Sequence, residues 1–213
     1  MLHDFWVAFV ETGLMMGIAI AFAVVIGVPL GIGLFVTNRG MFFENRFIQQ
    51  VAGTTINIIR SIPYIILLVV LIPLTQLLTG SSTGPIAASV SLTIAAIPFY
   101  ARLVETSLRE IDKGVIEAAE SCGASPWLII KDVLLPEARP GMIAGLTVTT
   151  ISLLGYSAMA GIIGGGGIGD LAIRFGYYRF QNEVMITTVV ILIIIVQLIQ
   201  FTGDKAAKAV DKR

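Results

Sequence analysis

The 213 residues are 56% apolar and 13% charged, with 14 basic residues against 14 acidic ones and a mean hydropathy of +0.90. Soluble domains carry about a quarter charged residues, so a soluble globular protein is excluded. The balanced charge, with no basic stripe interleaved with aromatics, also gives no pull toward nucleic acid.

Thr12 to Asn38, Ser61 to Ala101, Pro140 to Gly169 and Val184 to Gly203 each lack Asp, Glu, Lys and Arg. A bilayer's hydrocarbon core needs roughly 20 apolar residues per helix, so each run is long enough to span it. The first run shows no small-residue cleavage signature and is taken as a retained span rather than a signal peptide. The run from Ser61 is too long for one helix and is divided by Thr79-Gly-Ser-Ser-Thr-Gly-Pro85, which reads as a tight turn between two spans. The expectation is an all-α integral membrane protein with five spans, near 13–36, 58–78, 86–104, 141–162 and 184–203.

Five spans put the termini on opposite sides. With the N-terminus outside and the C-terminus cytoplasmic, ten Lys and Arg fall in the inner segments, among them Arg39, Arg46, Arg109, Lys113 and Lys131. Only Arg174 and Arg179 fall outside, which follows the positive-inside rule. Arg60, beside Ser61 in Arg60-Ser-Ile-Pro63, is the exception, since it falls within the second span. It either snorkels to the inner surface, pairs with a carboxylate, or faces a transport path. Pro29, Pro63, Pro73 and Pro98 fall within spans and predict kinks.

The longest charged stretch lies between the third and fourth spans, at about 111–136, on the cytoplasmic side. Val115 to Cys122 predicts a helix ended by Gly123, and Ser125-Pro126 predicts a cap and first turn for another. The small Ala118 and Ala119 leave the tip of this helical elbow open to a groove on another protein.

Within it, Glu117-Ala118-Ala119, Gly123 and Val133-Leu-Leu-Pro136 stand at fixed spacing. This resembles the EAA motif of binding-protein-dependent ABC importer permeases, with Val133 where Ile is commoner. Arg60-Ser-Ile-Pro-Tyr64, Ile72-Pro-Leu-Thr75, Gly155-Tyr-Ser-Ala-Met159 and Gln200-Phe-Thr-Gly-Asp204 are similar to the methionine importer permeases in particular. The resemblance implies a permease of the bacterial inner membrane that acts as a homodimer. It would be flanked by two ATP-binding subunits and fed by an extracytoplasmic substrate-binding lipoprotein, with methionine, L and D, as solute. Glu117, Ala118, Ala119, Gly123 and Pro136 would then couple to the ATPase by docking in its cleft. Tyr156, Ser157 and Met159, with Arg60 and Ser61, would belong to the path or gate. The chain has no G-x-x-x-x-G-K-[ST] loop, so ATP would be bound by the partner subunit and not by this chain.

Other features read more simply. Gly164-Gly-Gly-Gly-Ile-Gly169 follows a membrane span rather than a soluble strand, so it predicts a flexible outer turn and not a nucleotide site. Cys122 has no thiol partner, and no catalytic residues or metal ligands cluster anywhere, since His3 is the sole histidine. The alternatives are an ABC permease for another amino acid or small solute and, from a different class, an ion-coupled carrier or channel. The latter usually sets relay charges inside its spans, which here amount to Arg60 and Arg102.

Overall fold

A first helix, α1 (Leu2–Val36), carries 35 residues and is about 50 Å long at 1.5 Å per residue. Met15, Ala19 and Ala23 recur along one stripe and are buried, while Phe22, Val25 and Ile26 on the other side are exposed. One face is therefore packed on protein and the other is left for lipid. Its packing partner is α5 (Pro85–Arg109). The two backbones meet at Gly31, where a Cβ would stand 2.7 Å from Cβ of Val104 and 2.5 Å from the carbonyl oxygen of Ala101. Only glycine permits that approach, the usual device for helix packing in lipid.

The computed structural model describes residues 2–211, and no strand occurs among them. Between α1 and α5 the chain is broken into α2 (Arg46–Ser61), α3 (Tyr64–Val70) and α4 (Ile72–Thr79). Beyond α5 come α6 (Lys113–Ser121) and a continuous 37-residue helix, α7 (Pro126–Ile162), with a wider π turn at Ile129–Leu134. The short α8 (Gly167–Leu171) passes into a second π turn, Ala172–Tyr177. The last helix is α9 (Asn182–Val210). α5, α7 and α9 pack side by side, and the largest buried cluster joins Met15, Leu92, Tyr100, Val104, Leu134 and Leu153 across α1, α5 and α7.

Four helices, α1, α5, α7 and α9, are each long and apolar enough to cross a membrane, and a fifth crossing exists if the bent pair α2 and α3 is taken as one. The second expected span, 58–78, is therefore corrected: it is not one helix. α2 and α3 meet at 102°, and Ile62 between them is extended, at φ −80° and ψ 123°. Pro63 supplies the reason, since it lacks an N–H and its ring pushes the preceding residue out of the helical region. Pro73 lies in the first turn of α4, after a second break at Leu71. By contrast, Pro29 and Pro98 sit inside α1 and α5. The turn from Thr79 to Pro85 forms, with Gly80 left-handed at φ +74° ending α4.

Candidate functional site

The elbow near 111–136 is built from local signals. Asp112 caps α6 by accepting the Gly114 N–H at 2.7 Å, which satisfies one of the free donors of the first turn. The helix ends at Cys122, and Gly123 takes the left-handed φ of +79°. Its N–H donates to the Glu120 carbonyl at 2.8 Å and that of Ala124 to Ala119 at 3.1 Å, a glycine-terminated stop. Ser125 Oγ then accepts the Leu128 N–H at 3.4 Å and opens α7 with Pro126 in its first turn.

Ile116 is buried with Ile129, Ile130 and Leu134, so α6 is clamped onto the π turn of α7. Glu117, Ala118 and Gly123 are exposed, Ala119 is half-buried, and Pro136 is half-buried further along α7. Trp127 is 72% exposed beside them, with Leu128 also exposed. The result is a rigid corner with a small-residue edge and an uncovered aromatic. α7 runs without a break from Pro126 to Ile162, so the corner and the far end of the bundle belong to one helix.

Above the elbow lies a charge network. Glu105 on α5 is 1% exposed and takes one guanidinium on each carboxylate oxygen, Arg102 on Oε2 and Arg109 on Oε1, both at 2.5 Å. Arg102 also donates to Asn57 Oδ1 at 2.9 Å and to the Gly53 carbonyl at 3.3 Å, which ties α2 to α5. Such a buried carboxylate is tolerated only with its charge and lone pairs matched. Arg102, Glu105 and Arg109 stand three and four apart on one helix, where side chains meet; neither this triplet nor its link to α2 was read from the sequence.

The residues proposed for the path separate into two places. Arg60 and Ser61 end α2 and are exposed. The Arg60 guanidinium lies 5.6 Å from the Phe99 ring centroid, and Ser61 Oγ donates to the Asn57 carbonyl at 2.7 Å. Tyr156, Ser157 and Met159 lie on α7. Tyr156 stacks on Tyr64, with ring centroids 4.6 Å apart and planes at 10°. The Tyr64 hydroxyl bonds Ser91 Oγ at 3.0 Å, so α3, α5 and α7 meet at this point. Ser157 is buried and donates to the Leu154 carbonyl at 2.8 Å, which turns it into its own helix. Met159 is 42% exposed, and Val148 and Ile162 are exposed on the same helix. Tyr64 is the partner that residue types alone did not reveal.

At the opposite end, the glycine run is not the open flexible turn expected. The α1 side chains hold its backbone: Glu11 accepts the Gly167 N–H at 2.8 Å and Thr12 Oγ1 accepts that of Ile168 at 2.9 Å. These bonds, across 156 positions, supply partners for the first donors of α8. Asp170 beside them pairs with Arg174 at 3.0 Å. Burial nonetheless holds the Asp170 carboxyl above the usual carboxylate range, with Arg174 opposing and Glu11 adding to the rise. Among the described residues no three His, Cys, Asp or Glu side chains converge as a metal site would require.

The chain matches the model of the family described as binding-protein-dependent transport system inner membrane component over residues 23–213. It is 47% identical over 203 residues to the probable D-methionine transport system permease protein MetI of Vibrio cholerae, covering 95% of this chain and 90% of the relative. It is also 47% identical over 180 residues to the methionine import system permease protein MetP of Bacillus subtilis, covering 84% and 81% respectively. Among solved structures it is similar to a chain of the MetNI methionine ABC transporter in an inward-facing conformation, with TM-score 0.94, 44% identity and coverage of 99% and 96%. A chain of an amino acid ABC transporter, 20% identical with TM-score 0.73, shares the fold.

Proposed function

Because the chain belongs to the family of binding-protein-dependent transport system inner membrane components, and is thus a non-enzymatic permease subunit of the inner membrane, we propose that it imports methionine. The observation that carries the solute is near-half identity, over most of the chain, to permeases named for methionine in both Vibrio cholerae and Bacillus subtilis. Both enantiomers are accepted, and selection among solutes lies in the external binding protein.

The working unit is a homodimer with two ATP-binding subunits and an extracytoplasmic binding lipoprotein. The exposed stripe of Val148, Met159 and Ile162 on α7 faces the second copy across the path, where an apolar constriction around Met159 blocks a polar solute by dewetting. The elbow end is cytoplasmic. There the Glu117, Ala118 and Gly123 edge seats in the ATPase cleft, with Ala119 and Pro136 holding its shape. Closure of the ATPase pair on ATP draws the two elbows together and tips α7, which opens the path outward; release reverses it. This chain makes and breaks no covalent bond. It contributes two states whose balance the partners shift.

Competition tests the solute. In proteoliposomes holding this chain with its ATPase and binding protein, unlabelled D-methionine should reduce uptake of labelled L-methionine, and unrelated amino acids in equal excess should not. Inhibition by another amino acid alone would keep the permease and remove methionine.

A further inference from the structure

The segment 37–45, between α1 and α2, forms a second polar feature of the inner end, on different elements from the elbow. Its backbone is folded on itself. Thr37 Oγ1 donates to the Gly33 carbonyl at 2.7 Å, Phe43 N–H to Val36 and Asn45 N–H to Thr37, both at 3.1 Å. The Glu44 carboxylate accepts the Gly40 N–H at 2.9 Å, and Asn45 Oδ1 accepts that of Ile48 at 3.0 Å. The turn is therefore satisfied internally, and its outward side chains are left for a different ligand.

Those side chains surround an open cleft of about 400 Å³ lined by Thr37, Asn38, Arg39, Glu44, Arg46 and Gln49. Arg39 and Arg46 are exposed, and neither makes an ion pair among the described residues. Beside the cleft, Phe43 and Ile48 are more than half exposed and Phe47 is 77% exposed. Polar cleft and aromatic rim thus belong to one patch.

Its depth follows from how α2 sits. Asn57 and Gly53 touch Arg102, and Arg60 lies over Phe99, so much of α2 meets little more than one turn of α5. A helix that touches its neighbour at one turn crosses it. That turn is where the uncharged stretch of α5 ends and Arg102, Glu105 and Arg109 begin. α2 consequently lies along the level where the apolar layer gives way to charge, as interfacial amphipathic helices do.

We propose that this cleft binds the phosphate of an anionic phospholipid of the inner leaflet, with Arg39 and Arg46 on the phosphate oxygens and Phe43 and Phe47 along the acyl chains. Charge complementarity names the occupant. Two unpaired guanidinium groups, whose planar forks match phosphate oxygens, face one carboxylate already engaged by a backbone N–H. Basic clefts at this depth recognise lipid head groups. The site rests on the inner placement of this end and not on which solute is carried.

The test is native mass spectrometry of the full-length purified chain released from micelles containing phosphatidylglycerol or phosphatidylcholine. Phosphatidylglycerol should be retained in preference, and Arg39→Gln with Arg46→Gln should lower its retention about 25-fold, at roughly fivefold per basic residue. Arg39→Lys with Arg46→Lys should keep most of it, and Arg179→Gln at the opposite end should change nothing. Retention unaffected by the double glutamine variant would overturn the proposal. Equal displacement by inorganic phosphate would also overturn it by removing the lipid. Loss of the homodimer on that substitution, with no change in lipid, would assign the cleft to the second copy and overturn it equally.

Discussion

Glu105 is the residue whose environment leaves least freedom. Its carboxylate is enclosed and answered by two guanidinium groups, one of which reaches α2. Glu105→Ala would leave Arg102 facing a closed, uncompensated site, though both arginines retain some solvent. The expected cost is about 2 kcal/mol, less than the 3–5 kcal/mol of a fully buried pair, read as a lower thermal midpoint in detergent. Glu105→Gln, which keeps an acceptor, should lose less. Tyr64 offers a cleaner separation: Tyr64→Phe keeps the stack on Tyr156 and removes only the bond to Ser91, about 1 kcal/mol. Tyr64→Ala should cost about 3 kcal/mol or more by opening a cavity where three helices meet. Sequence reading reached Tyr156 and Arg60 without their neighbours, because a ring stack or a cation over a ring joins residues distant in the chain and leaves no local periodicity. The arginine and glutamate triplet, though local to one helix, was not read either: Arg102 was taken only as a charge inside a span.

Helix identity and the elbow were the most legible elements. The elbow's stop at Gly123, its cap at Ser125 and its exposed Glu117 and Ala118 all follow from local rules that act within one or two turns. The second span was misread because a run without charged residues cannot register a 102° corner, although Pro63 marked the place. The glycine run was misread for another reason: Glu11 and Thr12, which fix it, come from the far end of the sequence. Two substitutions test this level. Gly31→Val should force α1 away from α5 at Ala101 and Val104, costing about 1–3 kcal/mol by overpacking and lowering the yield of folded protein. Gly123→Arg, which strains the left-handed stop and places a bulky charge on the exposed elbow edge, should leave the bundle's thermal midpoint nearly unchanged. It should also abolish substrate uptake while the ATPase still hydrolyses ATP. Normal uptake by that variant would remove the elbow from the coupling step.

At the scale of the molecule, the fold divides the labour. α1, α5, α7 and α9 form a membrane-crossing frame with much apolar surface left outward. The elbow is rooted in the same continuous helix that carries Tyr156 and Met159 to the other end, so the proposed coupling edge and the proposed gate share one helix. The enclosed Glu105 is matched by arginines on both oxygens. In the proposed function, transport depends on a partner's ATP. The measurement that tests this most directly is uptake of labelled methionine into proteoliposomes containing this chain, its ATPase and its binding protein, with ATP inside and without. Accumulation only with ATP and binding protein together is the predicted result. Methionine flux that persists without ATP, or follows an imposed ion gradient, would contradict it.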